Sequence, residues 1–180
     1  HYLRDTAHHH SRLYTGTLRR HIETADGMDT GLVATRDPRL NELEYFNLAN
    51  LLSDQHGIDH PSEQSQFVHH LPVVFSYWKD GKLEGAPETW AAFHNRVDDA
   101  MKEIAAGDGP ALVVTSGGLI SMTMAQTLQL DVGAMARMAL AIMHTSMHRL
   151  FPIGDQLSPV LFNAVPHLET PERRLSQTHI

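Results

Sequence analysis

The run Ala111-Leu112-Val113-Val114-Thr115, followed at once by Ser116-Gly117-Gly118, constrains this chain more than any other stretch. A continuous apolar run without alternation reads as a strand buried on both faces, and such strands sit in parallel sheets covered by helices. The small residues then turn the chain directly into a predicted helix, Leu119 to Leu128. A strand that passes straight into a helix aims several backbone N–H groups at one point, which makes a natural anion site. Taken alone, the turn is equally well read as a tight corner without a ligand, since glycine also serves backbone geometry.

Helices and apolar strands alternate around this unit. Residues 1–10 read as the end of a helix, Arg12 to Tyr14 as a strand, Leu18 to Ala25 as a helix and Leu32 to Ala34 as a short strand. Leu40, Leu43, Phe46, Leu48, Leu51 and Leu52 fall at helical spacing, predicting a helix from Arg39 to Gln55 that Gly57 stops. Pro87-Glu88 opens another, with Trp90, Phe93, Val97, Ala100, Met101 and Ile104 on one stripe and Gly107 as its end. Asp131 caps a helix from Val132 to about Met143, and Met147 to Leu150 and Val160 to Phe162 read as strands. The alternation predicts an α/β layered domain over residues 1–180, with Val113 and Val114 on a central parallel strand. Ile58 to Gly85, rich in polar residues, histidine, proline and glycine, reads as an insertion or cap carrying one short helix.

Composition narrows the partners. A net charge of −7 leaves no broad basic face for nucleic acid, though a local arginine cluster can still hold a small anion. No apolar run is long enough to span a bilayer, and the absence of cysteine removes disulfides and thiolate metal sites and fits a reducing cytoplasm. The chain starts at His1, part-way through an element, so further residues are expected upstream.

Besides that turn, two groups can carry chemistry. Arg19 and Arg20 open a helix just after a strand, where a guanidinium fork can meet a phosphate; Arg19 can equally pair with Glu23 four residues on, and only one of the two points inward easily. Glu42, at a loop-to-helix junction, is a general acid if burial raises its pKa, and by default a surface glutamate near a helix N-terminus. The histidines number 14, but neither His8-His9-His10 nor His69-His70 has ligand spacing, and neither metal nor cofactor is expected.

Read in order, these pieces resemble the histidine phosphatase (phosphoglycerate mutase-like) superfamily, whose members share Arg-His-Gly, Ser-Pro-Leu-x-Arg-Ala-x-x-Thr-Ala, Leu-x-Glu, Glu-x-x-x-x-Phe-x-x-Arg-Val and Ser-His-Gly-Gly. Gly16 to Ala25 matches the second pattern with Arg20 at its phosphate-contacting arginine, and Leu40-Asn41-Glu42 matches the third with Glu42 at the proton donor. Glu88, Phe93, Arg96 and Val97 match the helix, and Phe162 to Leu168 resembles the family's Phe-Asn-x-x-x-His-Leu. Two departures stand out. Arg-His-Gly is absent from the 180 residues, and the turn reads Thr115-Ser116-Gly117-Gly118, with serine at the family's second histidine.

The resemblance implies a three-layer α/β/α domain with a mostly parallel sheet, and a phosphomonoesterase working through a phosphohistidine. Arg20, Ser116 and the Gly117 N–H would bind phosphate at an anion-sized pocket, and Glu42 would protonate the leaving alkoxide. The implied partner is a phosphorylated small molecule or phosphoprotein, without nucleic acid or membrane; the oligomeric state stays open, with a homodimer among the options. The alternative is a pseudoenzyme that binds a phospho-ligand on the same fold. No bisphosphoglycerate-type insertion is recognisable, so mutase activity is not expected. Tyr77, Trp78 and the histidines of the insertion are candidates to line a substrate pocket.

Overall fold

The structure, a computed structural model, describes residues 2–6 and 9–179; His8 of the histidine triplet lies outside them. After α1 (Tyr2–Thr6), the chain forms β1 (Arg12–Thr15), α2 (Arg19–Gly27) and β2 (Ala34–Arg36). Three helices follow, α3 (Tyr45–His56), α4 (Phe67–Lys79) and α5 (Trp90–Ala106). The unit β3 (Ala111–Val114), α6 (Gly117–Leu128) and α7 (Val132–Ala141) precedes a hairpin of β4 (Met147–Ile153) and β5 (Gln156–Ala164).

The sheet is parallel and three-stranded in the order β2-β1-β3. β1 therefore holds the centre, and Val113 and Val114 lie on an edge strand rather than the expected central one. Arg12 to Thr15 pair with Ala111 to Val114 on one side, while Leu13 to Thr15 pair with Ala34 to Arg36 on the other. β2 begins where the expected strand ended: Val33 is exposed, and Asp37 N–H extends the ladder by donating to the Thr15 carbonyl at 2.9 Å. β4 and β5 form a separate antiparallel pair, because Gly154 at φ 63° lets the chain reverse tightly between them.

Side chains alternate across the sheet. Leu13, Leu112 and Val114 face α2, where Ala25 and Met28 cover them. Tyr14, Ala111 and Val113 face the larger core, built by α3 to α7 around Leu48, Phe75, Phe93, Val97, Leu119 and Met135. The α/β architecture with helices on both faces of the sheet matches the sequence expectation.

Two elements differ from it. The segment expected to hold one short helix contains the thirteen-residue α4, which buries Leu71, Val74, Phe75 and Trp78. Trp78 is thus core rather than pocket lining: it packs on Trp90 and Phe93, and its indole N–H donates to the Glu88 carbonyl at 2.8 Å. The helix expected from Arg39 starts only at Tyr45. Pro38 and the Asp37 side chain start a 3-10 turn instead, which extended backbone at Asn41 ends at once. That interruption leaves Glu42 on a loop, free to reach across to another element.

Candidate active site

All three parallel strands end at one place, and the loops that follow them are tied together there. This is where ligands collect in open α/β sheets. Asn41 accepts from the Thr17 N–H and donates to its hydroxyl, both at 2.7 Å, joining the loop after β2 to the loop after β1. Thr115 donates its hydroxyl to the Leu40 carbonyl at 2.7 Å, joining the turn after β3 to the same segment. Gly16 lets this happen, because a Cβ there would stand 2.7 Å from Asn41 Oδ1 and closer still to His21 Nδ1.

Arg20 sits in the first turn of α2, and its Nε and Nη2 reach Ser116 Oγ at 3.3 and 3.2 Å. Arg19 points outward and pairs with Glu23 at 2.6 Å, so the two arginines are directed apart. Ser116 is the N-cap residue of α6 by position, yet its side chain does not cap the helix. It faces Arg20 instead, filling the fork where an open anion-sized pocket was expected. Gly117 begins α6 beside it, with only Ile142 near the space a Cβ would occupy.

Glu42 does the capping from another loop. One carboxyl oxygen accepts from Gly118 N–H at 3.1 Å and the other from Leu43 N–H at 2.9 Å. Position 118 must be glycine for this, since a Cβ would collide with the Glu42 carboxyl and stand 2.6 Å from Leu43 Cδ2. Burial pushes the Glu42 pKa up, while the Gly118 and Leu43 N–H groups and the Arg20 and Arg96 charges pull it down; burial wins.

Sequence reasoning matched Arg96 and Glu88 to a family pattern without giving them a role. Arg96 donates to both Glu88 oxygens, at 2.9 and 2.7 Å, and to the carbonyls of Arg39 and Asn41, at 2.8 and 2.9 Å. α5 thereby clamps the loop that carries Glu42. His21 was missed altogether. It is buried, its Nε2 lies 2.5 Å from Ser116 Oγ, and burial and Arg20 together lower its pKa to about 4. One signal was available: histidine stands here at the alanine of the family's second pattern.

His69 is exposed while its neighbour His70 is buried against the Tyr45 hydroxyl at 2.8 Å. Among the described residues, no cluster of three or more histidine or acidic side chains could hold a metal ion. No helix among them is long and apolar enough to cross a membrane.

No curated protein matches the chain. Among solved structures it is similar to a mycobacterial hydrolase, with a TM-score of 0.62 and 20% identity over 94% of this chain and 77% of that one. A phosphoserine phosphatase mutant from Entamoeba histolytica in complex with phosphoserine gives 0.63 and 11%, covering 88% and 76% of the two chains. A mycobacterial glucosyl-3-phosphoglycerate phosphatase gives 0.59 and 21%, covering 88% and 79%. At these identities the likeness is one of fold. The family model of the histidine phosphatase superfamily, branch 1, matches residues 2–165, nearly the whole length. The chain belongs to the histidine phosphatase superfamily.

Proposed function

We propose that this chain is a phosphomonoesterase of the histidine phosphatase type. The observation that carries the reading is the convergence of Arg20, from α2, and Glu42, from the loop after β2, on the two ends of one short turn, Ser116 to Gly118. Phosphoryl transfer demands positive charge and donors around the equatorial oxygens, with little covalent work from the protein. Arg20 supplies a fixed planar fork, with Ser116 Oγ and Gly117 N–H as neutral donors beside it. Glu42, whose pKa is raised by burial, holds a proton for the leaving alkoxide and later takes one from the attacking water.

In the phosphohistidine route an unprotonated imidazole attacks phosphorus, the P–O bond to the alcohol breaks, and water then releases phosphate. The family's attacking histidine belongs to Arg-His-Gly, which is absent from these 180 residues. The clamp and the acid are this chain's own contribution. The phosphatases among its structural neighbours, one holding phosphoserine and another named for a sugar phosphoglycerate, support a phosphorylated small molecule as the substrate class. Serine at position 116, where the family pattern has a histidine, supports a second reading, phospho-ligand binding without turnover.

Phosphate release from an aryl phosphate by the protein and its Arg20→Ala variant separates the two. The phosphatase reading requires turnover that falls about 10- to 100-fold in the variant, the worth of one charge-assisted contact. Phosphate binding without turnover in the wild type would leave the binding reading in its place.

A further inference from the structure

His21 is the group at the site that the proposed chemistry leaves unused. Three nitrogens converge on Ser116 Oγ: Arg20 Nε, Arg20 Nη2 and His21 Nε2. A hydroxyl has one proton and two acceptor positions. The two guanidinium N–H groups take both acceptor positions, so the hydroxyl proton must point at His21 Nε2. That nitrogen is then the bare one, and the ring proton sits on Nδ1. Yet Nδ1 is buried without a hydrogen-bond partner, pressed against Gly16. His21 is 2% exposed, so water does not relieve it. The imidazole thus keeps a wasted donor on one side while its accepting side is spent on a single hydroxyl.

A deprotonated phosphoryl oxygen in the place of that hydroxyl reverses the preference. It has no proton to give, and it would face the lone pair of Nε2. Moving the ring proton to Nε2 turns that contact into a donated hydrogen bond. It also leaves Nδ1 as an unpartnered acceptor in place of an unpartnered donor, which is the less costly orphan. The exchange is neutral overall: one proton leaves Nδ1, one arrives at Nε2, and the Ser116 hydroxyl rotates to a neighbouring oxygen.

We infer that His21 is a further donor of the oxyanion site, meeting through Nε2 the phosphoryl oxygen that displaces Ser116 Oγ from the Arg20 fork. The inference rests on the reading of this site as a phosphate site. It gives the departure at Ser116 a physical account. The imidazole lost from the turn after β3 is restored from α2, at the position where the family pattern has alanine, and the exchanged pair is in contact. A contact of this kind joins positions 95 apart in the chain.

The test is a titration of the protein with inorganic phosphate at mildly alkaline pH, where the dianion prevails. Histidine is labelled with nitrogen-15, and the His21 ring is assigned by its loss in His21→Gln. The expected result is a switch of His21 from the Nδ1–H to the Nε2–H tautomer as phosphate saturates, a change a merely structural histidine would not make. His21→Phe, which keeps the ring volume but no donor, should bind phosphate about tenfold more weakly. His21→Gln, which returns an amide donor near Nε2, should stay within about threefold. Where His21→Phe fails to fold, the tautomer readout on the wild type decides. Phosphate binding that depends on Arg20, with His21 unchanged in tautomer, overturns the role of His21 and leaves the phosphate site standing. No phosphate binding by the wild type overturns both.

Discussion

Replacing Arg96 by alanine should unsettle the site without touching it. The guanidinium makes two bonds to Glu88 and one each to the carbonyls of Arg39 and Asn41. Its side chain is 20% exposed and that of Glu88 25%. Removing one partner of a fully buried pair costs about 3–5 kcal/mol, whereas exposed pairs are worth about 0.2–1 kcal/mol. The exposures place this pair between those limits, and the two carbonyls lose a charged donor that water replaces only in part. A loss of about 3 kcal/mol follows, equivalent in a chain of this size to a Tm lower by about 6–12 °C. Arg96→Lys keeps the charge but not the fork, and should fall between the two. Thermal and urea unfolding measure the stability, and turnover of an alkyl phosphate measures the consequence at Glu42, whose loop α5 no longer holds. A loss below about 1 kcal/mol, with turnover intact, would refute the clamp.

Other consequences can be checked alongside. Glu42→Gln should lower turnover of an alkyl phosphate by about 10²–10³ and that of an activated aryl phosphate much less, because only the poor leaving group needs the proton; equal losses would make Glu42 a positioning group. His21, held at a pKa near 4 instead of 6.5, gives stability that is present above pH 6.5 and lost as pH falls toward 4; with the side chain buried this is about 3 kcal/mol. His148, also lowered to about 4 by burial, loses stability in the same window, so urea unfolding across pH should be flatter, not flat, in His21→Gln. Ser116→His alone should destabilise by about 1–3 kcal/mol through crowding against His21, and combining it with His21→Ala should relieve much of that loss; an additive pair would mean the two positions do not share space.

Much of this molecule could be read locally. Ala111 to Gly118 carries its strand, turn and helix in the order of residue types alone, and the stripe of Phe93, Val97, Ala100 and Ile104 is the buried face of α5. Asp131 caps α7 by accepting from Ala134 N–H, as its position before an apolar segment predicts. α4 was harder, although Leu71, Val74, Phe75 and Trp78 do stand at helical spacing. Pro72 inside the helix and the polar, histidine-rich flanks hide that stripe from a composition-based reading. The site residues divide in the same way. Arg20 and Glu42 are visible because their neighbours along the chain form patterns. The role of Arg96 and the contact of His21 with Ser116 are set by packing between distant segments, which no local pattern encodes. The central place of β1 is likewise a matter of pairing, since its own residues, Arg12 to Thr15, look no more buried in sequence than those of β3.

Whether an oxyanion occupies the Arg20 fork decides what this site does. A crystal structure of the protein grown with orthovanadate tests this most directly. The expected result is the anion within hydrogen-bond distance of the Arg20 guanidinium, Ser116 Oγ and His21 Nε2, with Glu42 facing its open side. Anion density confined to other surfaces, with Ser116 Oγ still seated between Arg20 and His21, would contradict it.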